Sequence, residues 1–95
     1  MNTQTTYDIN KFFKAISDQN RVKIMDLLKD GEMNVSEICK HFEMSQPSIS
    51  HHLGILKNAD IVRDHKVGKE VFYYLNEICI SNCCGTFSDR YSSKK

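Results

Sequence analysis

In the run Ser45-Gln46-Pro47-Ser48-Ile49-Ser50-His51-His52-Leu53-Gly54-Ile55-Leu56, the proline fixes where a helix must begin. Proline has no N–H to give to an intrahelical bond, so the first turn is where a helix tolerates it. Ser45 stands just ahead of it, and its hydroxyl can cap the free amides of that turn. Ile49, Leu53 and Leu56 then recur at helical spacing, which gives the helix one apolar face that has to be buried. Gln46, Ser48, Ser50 and His51 remain on the polar side. They are short to medium donors and acceptors without a bulky charge, the kind of side chain that reaches base edges in a DNA groove.

What precedes this helix narrows the fold further. Asn34 to Phe42 reads as a helix capped by Ser36 or Asn34, with Val35, Ile38, Cys39 and Phe42 on one face. Only Glu43-Met44 separates it from the cap Ser45, so residues about 35–58 form a helix-turn-helix. Upstream, Asp8 to Ile16 carries Ile9, Phe12, Phe13 and Ile16 at helical spacing, and Ser17-Asp18 offers a second cap. The following segment, with Val22, Ile24, Met25, Leu27 and Leu28, is predicted to be the central core helix, with Gly31 as its stop. Downstream, Ile61 to Lys66 and Glu70 to Leu75 are rich in β-branched and aromatic residues, and Val67-Gly68 marks a turn between them. A hairpin over about 61–75 follows. A last helix is expected from Glu77 to about residue 91, capped by Asn76, and Ser92-Ser93-Lys94-Lys95 reads as a frayed tail.

The 95 residues suit one domain spanning 1–95, of a size often completed by a partner chain. With 40% hydrophobic and 26% charged residues the composition is that of a soluble globular protein, which argues against disorder. No run is long and apolar enough to span a bilayer, and the first residues lack the order of a signal peptide, so a cytoplasmic protein without a membrane partner is expected. The net charge of +1 is low for a DNA binder, but Lys57, Arg63, His65, Lys66 and Lys69 cluster late in the chain while many acidic residues lie earlier. No Gly-rich phosphate loop, zinc-knuckle spacing or CxxC pair is present, and no cysteine neighbours a histidine in sequence. Catalysis is not expected.

Helix, helix, helix-turn-helix, hairpin, helix is the order of a winged helix-turn-helix, a mainly α fold with a small β-hairpin. The run from Phe13 through Asp18-Gln19-Asn20-Arg21 to Leu27-Leu28 resembles the opening of the ArsR/SmtB family of bacterial repressors. Ser45 to Leu53 is similar to that family's recognition helix, and Lys57 to Val62 with Gly68 to Leu75 to its wing. The resemblance implies a homodimer that binds double-stranded operator DNA, represses transcription, and lets go when an inducer fills a separate site. A two-fold dimer places two recognition helices roughly 34 Å apart, which fits an inverted repeat. Gln46 would bridge an adenine edge, Ser48, Ser50 and His51 would donate to bases or phosphates, and Lys66 and Lys69 at the wing tip would attract phosphate. His52 is set apart, with its ring expected toward the hairpin. The bland alternative is a winged helix that only contacts other proteins.

The cysteines bear on the inducer. The family's arsenic site near the third helix retains only Cys39 here, which reads as a core residue. In the family's zinc-type site on the last helix, Glu77 and Cys79 fall on the first two ligand places, but Arg90 and Ser93 fall near the others and do not ligate comparably. Cys79, Cys83 and Cys84 occupy that same helix instead. Residues four apart share a face, and thiolates suit a soft thiophilic ion such as trivalent arsenic, so these three are the expected inducer site. A thiol redox or reactive-sulfur switch through Cys79 and Cys83 is the alternative, and a purely structural role in a dimer interface the third. No cofactor is expected for DNA binding itself.

Overall fold

Each helix opens on a side chain that satisfies its free amides. The computed structural model describes residues 6–92, and Ser93, Lys94 and Lys95 of the expected tail lie outside them. In α1 (Ile9–Ala15) the Asp8 carboxylate accepts from the amides of Asn10 and Lys11. In α2 (Gln19–Leu28) Asp18 does the same for Asn20 and Arg21. Burial pushes the Asp18 carboxyl up, but those two amides and the Arg21 guanidinium outweigh it and hold it below its ordinary value. In α3 (Val35–Cys39) the cap is Asn34, not Ser36, in a reciprocal box: the Glu37 amide donates to Asn34 Oδ1 at 2.8 Å, and the Asn34 amide to Glu37 Oε1 at 3.0 Å. Ser45 caps α4 (Gln46–Asn58), with Pro47 in its first turn, and Asn76 caps α5 (Glu77–Arg90).

Two stretches differ from what the residue pattern predicts. The third helix stops at Cys39 rather than Phe42; tight turns from His41 to Ile38 and from Phe42 to Cys39 carry the chain on, and Phe42 still packs against the core. Met33–Asn34 is a short strand, β1, which pairs antiparallel with β3 (Glu70–Leu75) through Met33↔Tyr73 and Asn34↔Phe72. With β2 (Val62–Val67) it makes a three-stranded sheet in the order β1-β3-β2. The hairpin register runs from Val62↔Leu75 to Val67↔Glu70, so the turn is Gly68-Lys69 and Val67 belongs to the strand. Gly68 takes a φ of +64°, which a side chain would resist.

The hub of the core is α4 rather than α2. Ile49, Leu53 and Leu56 are fully buried, and α4 touches α1, α2, α3 and β2. From α2 only Ile24 and Leu28 are buried, while Val22 is exposed. The centre is completed by Phe12, Ala15, Ile38, Ala59, Ile61, Val62, Cys79 and Cys83. The helix that presents the polar face is therefore also the one most tightly held by the rest of the molecule.

The far end of α4 is held too. The Ile61 amide donates to the Leu56 carbonyl and the Asp60 amide to that of Lys57, the paired bonds of a Schellman ending. Asp60 sits at φ +65°, the place where glycine is usual. Its carbonyl accepts from Asn76 Nδ2 at 2.9 Å, and the Asn76 amide donates to the Ile61 carbonyl at 2.8 Å. Asn76, only 7% exposed, thus fastens the start of α5 to the end of α4.

Candidate nucleic-acid interface

The side chains that the sequence assigns to DNA all reach solvent. Gln46, Ser48, Ser50 and His51 are exposed along α4, whose buried stripe is Ile49, Leu53 and Leu56; Gln46 is exposed as the first residue of the helix. At about 100° per residue, His51 lies near the middle of the outward face, with Ser50 at one edge and Ser48 at the other. Ser48 is partly engaged, since its oxygen accepts from the Ser45 hydroxyl at 3.2 Å. The other three carry no side-chain hydrogen bond among the described residues, so their donors and acceptors are free for a partner.

The wing sorts the basic cluster into paired and unpaired charges. Lys57 at the end of α4 bonds Asp64 of β2 at 2.9 Å, and this hydrogen bond together with the carboxylate charge raises the Lys57 pKa. His65 meets Glu32, and Asn34 Nδ2 donates to Glu70 Oε1 at 3.0 Å, which tie the wing to β1 and the segment before it. Lys66 and Lys69 are exposed, and among the described residues neither is paired with a carboxylate. The alternation of a strand puts Lys66 on the same sheet face as Asp64, which binds α4. Lys66 thus shares the face of the wing that meets the end of α4 at Lys57, and Lys69 stands in the turn beyond it.

His52 does not turn toward the hairpin. It is half-buried, and its Nδ1 accepts from Arg21 Nη1 at 3.2 Å. The same guanidinium donates through Nε to the Ala15 carbonyl and through Nη2 to the Lys14 carbonyl, closing the last turn of α1. Sequence reasoning passed over Arg21 because a lone cation on an amphipathic helix usually faces water. Its three partners come from two separate places in the chain, the end of α1 and the middle of α4.

The C-terminal cysteines do not converge within one chain. Cys79 and Cys83 point into the core while Cys84 is exposed, and among the described residues no group of three His, Cys, Asp or Glu side chains is gathered as a metal site would need. The reason is angular: Cys84 follows Cys83 by about 100° around the helix, so when one faces the core the other cannot. Burial, and then the neighbouring Cys83, pushes the Cys79 thiol up to about 12, and burial likewise raises Cys83. Both are neutral thiols near pH 7. Cys79 Sγ lies 3.6 Å from the Ala59 carbonyl at the end of α4. Cys39 is half-buried against the core.

A capped helix-turn-helix, its second helix anchored on the core with a polar face outward and a hairpin with free lysines beside it, is a winged helix-turn-helix DNA-binding module. Residues 18–64 match the family model described as bacterial regulatory protein, arsR family. The "Transcriptional repressor SdpR" of Bacillus subtilis (strain 168) is 54% identical over 68 residues, covering 72% of this chain and 76% of that protein. The "Arsenical resistance operon repressor" of Staphylococcus aureus is 33% identical over 75 residues, covering 79% and 72%. Among solved structures, an ArsR-like transcriptional regulator from Rhodococcus sp. RHA1 superimposes with a TM-score of 0.78 at 25% identity, covering 85% of this chain and 76% of that one. The chain belongs to the ArsR family, and it is a DNA-binding transcriptional regulator rather than an enzyme. No described helix is long and apolar enough to cross a membrane.

Proposed function

We propose that this protein represses transcription as a homodimer on an inverted-repeat operator, with α4 of each protomer in a major groove and the wing beside it. The observation that carries this reading is the division of α4: one face is fully buried in the core, while exposed Ser50 and His51, with Gln46 at the helix start, keep unused hydrogen-bonding capacity, and the wing adds exposed Lys66 and Lys69. The names of the two relatives support repression as the outcome of binding. Support for the dimer comes from Ile78, an apolar side chain 72% exposed on the outward side of α5, which a second copy would cover.

The inducer acts through the C-terminal cysteines, as a soft thiophilic ion such as As(III). An ion bound by Cys79 or Cys83 displaces the thiol proton and pulls the sulfur out of the core, which breaks the Cys79 contact with Ala59 where α4 ends. Cys84, or thiols of the second protomer, would complete the coordination. The neighbouring buried pair Cys79 and Cys83 favours a second reading, a reactive-sulfur or redox switch acting on the same contact.

The test starts from a duplex selected by the protein out of a randomised library. Lys66→Ala and Lys69→Ala should each weaken binding to all duplexes and flatten the plot of log affinity against log salt by about 0.9. Gln46→Ala should relax the preference at one base pair, costing about 1–3 kcal/mol there. Unchanged binding in all three variants would refute the docking. Reduced protein on that duplex is then challenged in parallel with arsenite, cadmium, zinc, peroxide and a persulfide donor. The double variant Cys83→Ser, Cys84→Ser should bind and ignore arsenite; release by peroxide or persulfide that a reductant reverses would favour the switch.

A further inference from the structure

We infer that Arg21 and His52 form a brace that sets the rotation of α4 about its own axis, and so the aim of the residues that meet DNA. The inference rests on the DNA-binding reading but concerns residues that would not touch DNA. Arg21 lies in the first turn of α2 and His52 in the middle of α4, and the bond between them is a direct side-chain link from a core helix to the polar helix. A guanidinium stays protonated and only donates, so His52 Nδ1 must accept. That fixes a neutral imidazole with its proton on Nε2.

The other two arms of the fork anchor it. Nε and Nη2 donate to the carbonyls of Ala15 and Lys14, so Arg21 cannot follow His52 if α4 turns. Ala15 is buried and α1 itself packs on α4, which makes the anchor part of the core. Charge beside the pair comes from Asp18, the cap of α2, whose carboxylate faces the Arg21 guanidinium; the His51 ring lies 6.0 Å from that of His52.

Geometry explains why a brace is useful here. The buried stripe of α4 is aliphatic, and Ile49, Leu53 and Leu56 resist sliding better than they specify an angle, because apolar packing has no directional bond. Side-chain ends lie about 5 Å from a helix axis, so a turn of 20° moves them by about 2 Å. Hydrogen bonds to base edges tolerate only about 0.5 Å in length. His52 directly follows His51, so holding its ring fixes the outward direction of its neighbour.

The experiment measures affinity for the selected duplex, and thermal unfolding, for His52→Asn, His52→Gln and His52→Leu. Asparagine puts an oxygen where Nδ1 stood, whereas glutamine carries its amide one carbon further and leucine has no acceptor. The brace predicts that Asn stays close to wild type while Gln and Leu each lose about tenfold, the worth of one directional contact. A role in packing alone predicts the reverse order, since Asn removes the most volume, and that order overturns the inference. So does any ranking in which Leu binds as well as wild type. Arg21→Lys, which keeps the charge and loses the fork, should cost as much as His52→Leu, and the double variant no more than either; additive losses would show that the two residues act independently. Failure of the wild-type protein to select any duplex would instead remove the DNA-binding reading.

Discussion

Cys79 and Cys84 lie on the same helix, and burial makes them different reagents. The thiolate is the reactive species, so exposed Cys84 should be alkylated first in native protein, half-buried Cys39 more slowly, and Cys79 only as the fold opens. Mass spectrometry of a brief iodoacetamide treatment, with and without urea, checks the order; early labelling of Cys79 would contradict the core placement. The raised Cys79 pKa also has a sign in stability. The unfolded chain releases this proton near its ordinary value of 9.0, whereas the folded protein keeps it to about 12, so stability is intact below pH 9 and falls as pH rises through that window. Cys79→Ala should lose less stability than wild type between about pH 8 and pH 10.5, measured by urea unfolding at each pH. From the sequence, Cys79 and Cys83 are visibly on one helix face. Which way that face looks depends on the packing of α5 against Ala59 and Phe13, which no local pattern contains.

At the scale of elements, helix starts are the most legible feature, because a cap is a bond between neighbours in sequence. Asp8, Asp18, Ser45 and Asn76 are all readable in this way, and Asn34 is separated from Ser36 only by the Glu37 box. Strand β1 is not readable, since two residues have no periodicity and their partners Tyr73 and Phe72 are remote in the chain. The turn shifts by one residue for a related reason: Val67 pairs with Glu70, so cross-strand bonding extends the strand to the glycine. Asn76 reads as a cap alone, yet its amide nitrogen also holds the Asp60 carbonyl at the end of α4. Asn76→Ala leaves these groups without partners in a buried place and should cost about 2 kcal/mol, a fall of roughly 10 °C in melting temperature. A shift of under about 2 °C would mean that water replaces both bonds.

For the whole molecule, the outward side of α5 is the surface that one protomer leaves uncovered. Ile78→Lys puts a charge on it and should shift the protein toward monomer in sedimentation while leaving each protomer folded, because Ile78 contributes nothing to the core. Affinity for an inverted repeat should fall with it, as two half-sites are then no longer read together. If Ile78→Lys stays dimeric with unchanged operator affinity, the dimer uses another surface. The sequence by itself determined the order of the helices and the hairpin, the caps, the apolar stripe of α4 and its exposed polar residues, all of which follow from local bonding and helical periodicity. Tertiary structure decided that α4 is the hub of the core, that Lys57 and His65 meet carboxylates while Lys66 and Lys69 meet none among the described residues, and that the C-terminal thiols are divided between core and solvent. It also turned His52 to Arg21. Each of these depends on two distant segments meeting, and a meeting of that kind is settled by the packing of the whole chain and leaves no periodic trace in either segment.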